Sequence, residues 1–194
     1  MTTELPTQPA TEHSEPRGRG ATVWLTGLPS AGKTTIANAL ADRLRREGHR
    51  VEVLDGDELR RNLTADLGYG REDRNTNVRR VGYVAELLAR NGIKAIVPVI
   101  APYAESRRAV RARHEAARAP YVEVHVSTPL DVCSDRDVKG LYAKQREGQI
   151  SGLTGVDDPY EVPESPELRL DAHEQTLTQS VESVHAALAA RDLA

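Results

Sequence analysis

Apolar residues in this chain fall into short unbroken runs, separated by longer stretches in which they recur every third or fourth position. Ala21-Thr-Val-Trp-Leu-Thr26 is the first run, stopped by a glycine, and it reads as a buried strand. From Thr34 to Glu47 the rhythm changes: Ile36, Leu40 and Leu44 share one helical face, and Gly48 ends the segment. Arg50 to Asp55 predicts a second strand, closed by Asp55-Gly56-Asp57. Glu72 to Asn91 predicts a long helix with Val78, Val81, Val84, Ala85 and Leu88 on one side and Gly92 as its stop. The near-continuous apolar run from Ile93 to Ile100 is what a strand covered on both faces requires. A charged helix follows over 104–117, then strands over 121–126 and 167–171, then a closing helix over 178–191. Strands alternating with helices predict an α/β domain. Its five-stranded sheet should be mostly parallel, with helices on both faces.

Between Asp131 and Pro166 neither rhythm holds, and charge, glycine and proline take over. So long an irregular stretch is rarely kept in a compact domain without a use, and residues 136–160 or so are expected to form a lid over a site. Residues 1–20, rich in Thr, Pro and Glu with almost nothing to bury, are expected to be a disordered tail, leaving one domain over 21–194.

Composition removes several classes of function. Twenty-six basic against 29 acidic residues give a net charge of −3, so no broad nucleic-acid-binding surface is expected and any phosphate recognition must be local. The single cysteine, Cys133, rules out an internal disulfide and a cysteine-rich zinc site. No apolar run is long enough to cross a bilayer and the N-terminus has no secretory pattern, so a cytoplasmic protein away from membranes is expected.

Gly27-Leu28-Pro29-Ser30-Ala31-Gly32-Lys33-Thr34 fits the G-x-x-x-x-G-K-[ST] phosphate loop at every specified position, between a buried strand and an amphipathic helix. Glycines let the backbone curl so that successive N–H groups point at phosphate oxygens, and the helix start adds its positive dipole end. Lys33 supplies charge to the β- and γ-phosphates of ATP, and the Thr34 hydroxyl is a candidate ligand for Mg²⁺. Motors and GTPases put the supporting aspartate after a separate apolar strand. Here the run 93–100 ends in Ala101-Pro102, and the acids are Asp55 and Asp57 after the second strand. Two carboxylates there suit a kinase acting on a hydroxyl, one holding water on Mg²⁺ and the other taking or orienting the acceptor's proton. Arg60 and Arg74 flank a turn bearing Tyr69, which sets fixed donors beside an aromatic face, a fitting receptor for an anionic nucleotide.

These blocks resemble the adenylyl-sulfate (APS) kinase family over nearly the whole length from Val23 onward. The resemblance is carried by Gly27 to Thr35, Leu54 to Asp57, Leu67 to Arg74, Asn77 to Arg80, Ile100 to Tyr103, Pro129 to Cys133 with Arg136 to Tyr142, and Gly152 to Tyr160. It implies a single P-loop domain like the nucleoside kinases, generally homodimeric, that phosphorylates the ribose 3′-hydroxyl of adenylyl sulfate to give PAPS and ADP. By position, it makes Asp57 the acid at that hydroxyl and Asp55 the support for Mg²⁺. Arg60, Arg74 and Asn77 would grip the phosphosulfate and ribose. Ile100 and Ala101 fall in the acceptor block, and Lys139 belongs to the lid closing on the phosphates. Tyr69 and Leu153 stand where the family sandwiches the adenine of APS. Arg136 is the candidate for ATP's own base.

Two departures stand out. The family sandwich is a phenylalanine pair, and this chain has no Phe; loss of one aromatic contact weakens stacking by about 0.5–1.5 kcal/mol. Ala101 replaces a serine common in bacterial members, which excludes a phosphoserine there and leaves direct in-line transfer. Two alternatives stay open: a sibling kinase with another hydroxylated acceptor, and a nucleotide-binding regulator with little turnover.

Overall fold

The computed structural model describes residues 19–194. The expected disordered tail therefore lies outside the described residues except for its last two. These belong to the domain: Gly20 is buried, and the Arg19 carbonyl accepts a 2.5 Å hydrogen bond from Lys94 Nζ.

Chain order is β1 (Ala21–Thr26), α1 (Lys33–Arg46), β2 (Val51–Val53), α2 (Gly56–Asn62), α3 (Arg71–Arg90), β3 (Lys94–Pro98), α4 (Ala104–Ala116), β4 (Tyr121–Val126), α5 (Leu130–Arg136), α6 (Leu141–Arg146), β5 (Leu168–Leu170) and α7 (Leu177–Ala189). The strands form one sheet in the order β2-β3-β1-β4-β5, and all four pairings are parallel. Expected long elements recur within two residues at each end. The three short helices α2, α5 and α6 were not expected.

Alternation along β1 builds two cores. Ala21, Val23 and Leu25 face one layer with Ile36, Leu40 and Leu44 of α1 and Val184 and Leu188 of α7. Trp24 faces the other layer with Val78, Val81 and Ala85 of α3 and Val110 of α4. Every residue of β1 and β3 is buried, as helices on both faces dictate. Cys133 lies in the first core, fully buried, which fits the packing role of a lone thiol.

A parallel sheet sends all its strand C-termini to one rim. The turns after β1, β2, β3 and β4 therefore emerge together, and these carry the phosphate loop, Asp55 and Asp57, the 100–103 segment and the expected lid.

Candidate active site

Gly27 opens the turn after β1 at φ 156°, and a Cβ there would stand 2.5 Å from the Val126 carbonyl oxygen. Only glycine permits so close an approach to β4. Ser30, next to the tip, is held at φ 61°, a strained left-handed conformation for a side-chain-bearing residue. Bonds from behind hold the loop in shape. Thr128 Oγ1 donates to the Ala31 carbonyl at 2.9 Å, and the Tyr142 hydroxyl donates to the Pro29 carbonyl at 3.0 Å. Ser30 Oγ accepts from the Val138 amide at 3.2 Å, tying the loop to the start of the lid. An Arg136 guanidinium nitrogen would stand 4.0 Å from a Cβ on Gly32, which puts this residue over the loop. Thr34 and Thr35 are exposed at the first turn of α1.

Lys33 is buried, and its ammonium donates to the carbonyls of Gly27 at 2.9 Å and Leu28 at 2.6 Å. Burial drives its pKa down from 10.5 to about 7; the buried Cys133 opposes this and Lys139 adds to it. An arriving polyphosphate stabilises the charged form and raises that pKa. Between the two values the free lysine is neutral and the bound one charged, so binding takes up a proton. ATP binding should therefore absorb close to one proton at pH 8.5 and close to none through this group at pH 6. Calorimetry in two buffers of different ionisation enthalpy reads that uptake.

Asp55 caps α2: its Oδ1 accepts from the amides of Asp57 at 2.9 Å and Glu58 at 3.2 Å, leaving the second carboxylate oxygen uncommitted. That oxygen and the exposed Thr34 hydroxyl form a sparse, all-oxygen donor set. It fits Mg²⁺, which keeps water and takes phosphate oxygens for the rest, and among the described residues no denser cage of His, Cys, Asp or Glu exists. Asp57 is exposed and forms an ion pair with Lys139 of the lid. Phosphate loop, acids and lid thus converge: Val138 touches Ser30 while Lys139 touches Asp57.

The acceptor-side residues gather around α3. Arg60 donates to the Gly68 carbonyl at 3.2 Å and lies 4.4 Å over the Tyr69 ring, which is 67% exposed. Arg74 reaches from the Tyr69 carbonyl to the 152–158 segment. Leu153, expected opposite Tyr69, is buried and packs with the first core. Asn77 is turned toward Thr64, whose hydroxyl donates to its amide oxygen at 2.8 Å. The Ile100 carbonyl accepts from Thr26 Oγ1 at 2.6 Å, and Ala101 is buried at φ 45°.

The expected lid divides in two. Residues 137–149 carry α6 and are largely exposed, whereas 152–161 form a tight turn anchored to the domain. Gly155 sits on the phosphate loop so closely that a Cβ would meet Leu28 Cδ2 at 2.6 Å. Sequence reasoning missed the anchors. Arg107, 4% exposed, donates to the carbonyls of Ala101 at 2.7 Å and Glu161 at 2.6 Å, and pairs with Glu123 at 3.2 Å. The Glu161 carboxylate in turn accepts from the Ala104 amide at 2.7 Å. The available signal was the spacing of Arg107, Val110 and His114, a buried helical face that includes polar residues.

With a nucleotide loop on one strand end and a lid cation pinned to a carboxylate on another, fold and site define a P-loop kinase. A sequence model of the family described as adenylylsulphate kinase matches residues 19–171, and the chain belongs to that family. A probable adenylyl-sulfate kinase of Synechocystis sp. is 53% identical over 163 residues, covering 84% of this chain and 90% of that protein. An adenylyl-sulfate kinase of Rippkaea orientalis is 51% identical over 166 residues, covering 86% and 90%. The solved Mycobacterium tuberculosis APS kinase in complex with AMPPNP and APS aligns with a TM-score of 0.86. Its sequence identity is 44%, over 89% of this chain and 99% of that one.

Proposed function

We propose that this chain transfers the γ-phosphate of ATP to the 3′-hydroxyl of adenylyl sulfate, giving PAPS and ADP. The observation that carries it is the meeting of Asp57 with the lid's Lys139 at the rim where the phosphate loop also opens.

In this reading the amides of 27–35 and Lys33 hold the ATP phosphates, with Arg136 over the loop toward the base. Thr34 and Asp55 hold Mg²⁺, which when bound neutralises developing charge on the phosphates. The 3′-oxygen bonds to the γ-phosphorus as the bond to the β–γ bridging oxygen breaks. The hydroxyl proton passes to Asp57, and ADP leaves with the bond electrons. Arg60 and Asn77 face the sugar and its charged substituent, Ile100 and Ala101 supply backbone beneath, and Tyr69 and Leu153 flank the base. Lys139, released from Asp57, follows the phosphates as the lid shuts out water. With Ala101 in place of serine, transfer is direct.

ADP release coupled to NADH oxidation tests the reading. Turnover with adenylyl sulfate, accompanied by PAPS, is expected. Turnover only with another alcohol, or with no acceptor at all, would overturn it. A homodimer in the cytoplasm belongs to the same proposal, and light scattering checks the first half of it.

A further inference from the structure

Two turns must meet for transfer, the phosphate loop after β1 and the segment after β3, and a short run of hydrogen bonds joins them at their roots. The ladder between β1 and β3 closes with the Val99 amide donating to the Leu25 carbonyl at 3.0 Å. One residue on, the Thr26 hydroxyl continues it, donating to the Ile100 carbonyl at 2.6 Å. Thr26 is fully buried and immediately precedes Gly27. Its Oγ1 also lies 3.0 Å from the Tyr160 hydroxyl. A hydroxyl has one hydrogen, and that of Thr26 is committed to Ile100, so the Tyr160 phenol is the donor.

Tyr160 belongs to the anchored 152–161 turn. Its ring stacks on His125 of β4, with centroids 5.9 Å apart and planes inclined by 24°. His125 is itself the register partner of Thr26 in the sheet. Burial drives the His125 pKa down to about 4 and that of the Tyr160 phenol up to about 12, so neither exchanges a proton near neutral pH. The phenol therefore acts as a fixed donor, not as an acid or base. Chain on either side of it is tied to the same segment. The Glu161 amide donates to the Pro102 carbonyl at 2.8 Å, and the Tyr103 hydroxyl donates to the Asp158 carboxylate at 2.9 Å.

We propose that Tyr160 is a positioning residue for phosphoryl transfer: through Thr26 it holds the 100–103 segment in register with the root of the phosphate loop. The proposal rests on the adenylyl-sulfate kinase reading, in which Ile100 and Ala101 lie beneath the acceptor. In-line transfer demands alignment, and a displacement of about 1 Å costs roughly a hundredfold in rate. A tie that sets alignment acts on the transferring step. One that only stabilises the fold moves the melting midpoint and leaves kcat alone.

The experiment measures kcat, the KM for each substrate and the melting midpoint on the full chain. The proteins are wild type, Tyr160→Phe, Thr26→Val, Thr26→Ser and the double variant of Tyr160→Phe with Thr26→Val. Tyr160→Phe removes one oxygen and keeps the stacked ring. It should lower kcat by roughly 10–100-fold with the KM values for ATP and adenylyl sulfate within about twofold of wild type. Thr26→Val cuts the tie from the other end and should lose at least as much. Thr26→Ser keeps the hydroxyl and should hold kcat within about threefold of wild type. The double variant should fall no more than about twofold below the worse single one. An unchanged kcat in Tyr160→Phe, whatever the melting midpoint does, overturns the proposal. So does a loss carried by the KM for adenylyl sulfate alone, or losses that multiply in the double variant. If Tyr160→Phe does not fold, the two Thr26 variants decide: equal kcat values in them refute the tie. Each of these failures leaves the functional reading standing. A wild type that makes no ADP from adenylyl sulfate removes that reading and this proposal together.

Discussion

Asp57→Ala should lower kcat by roughly 10²–10⁴-fold while leaving the dissociation constant for ATP within about twofold. The asymmetry follows from position. Asp57 follows the end of β2 and pairs with Lys139, whereas the loop proposed to hold ATP follows β1. Removing the acid deletes the proton's destination and frees Lys139 without disturbing an amide of the cradle. Single-turnover rates and equilibrium nucleotide titration separate the two quantities. Wild-type rates in this variant would show that the acid is misassigned. Asp55 is a poorer place to look, because its carboxylate also caps α2, and losing it changes the helix start together with the proposed metal support.

Arg107→Ala is expected to produce the largest loss of stability in the molecule, about 3–5 kcal/mol, the scale for breaking a buried ion pair from one side. Glu123, Arg107's partner, is itself buried. Burial pushes its carboxyl pKa up, and the pull of Arg107 and then Arg111 opposes that rise. Removing Arg107 leaves that carboxylate underpaired and strips the carbonyls of Ala101 and Glu161 of their donors. For a chain of this size the melting midpoint should fall by roughly 6–20 °C. Arg111→Ala should cost less, since Arg111 is 27% exposed and water can replace part of what it gives. A change below about 1 kcal/mol in Arg107→Ala, measured by denaturant titration, would contradict the picture of a junction under the site.

The sequence carried the sheet and its long helices because burial on both faces writes itself as apolar runs and helical repeats. β1 and β4 run over the residues expected from those runs. Failures occurred where that signal is absent. α2 buries no residue at all, and α5 and α6 bury one each, so no periodicity marks them. Their traces were local caps: Asp55 at the start of α2, and Asp137, whose carboxylate accepts from the amides of Tyr142 and Ala143 at the start of α6. The phosphate loop was legible because its chemistry is contiguous in sequence. Arg107 was not, because its partners lie 6, 16 and 54 positions away and its charge, read along the chain, looks like an ordinary solvated helix face. The anchoring of 152–161 escaped for the same reason. A run of glycine, aspartate and proline looks irregular until Arg74, Tyr103 and Arg107 are brought beside it by the fold.

The sheet's common strand direction has a consequence for diversification. Everything that handles a ligand leaves from one rim, in separate turns, while the layers behind only keep those turns in register. A lineage can therefore rewrite the turn that bears Tyr69 to suit a new alcohol and keep the nucleotide cradle and interior intact.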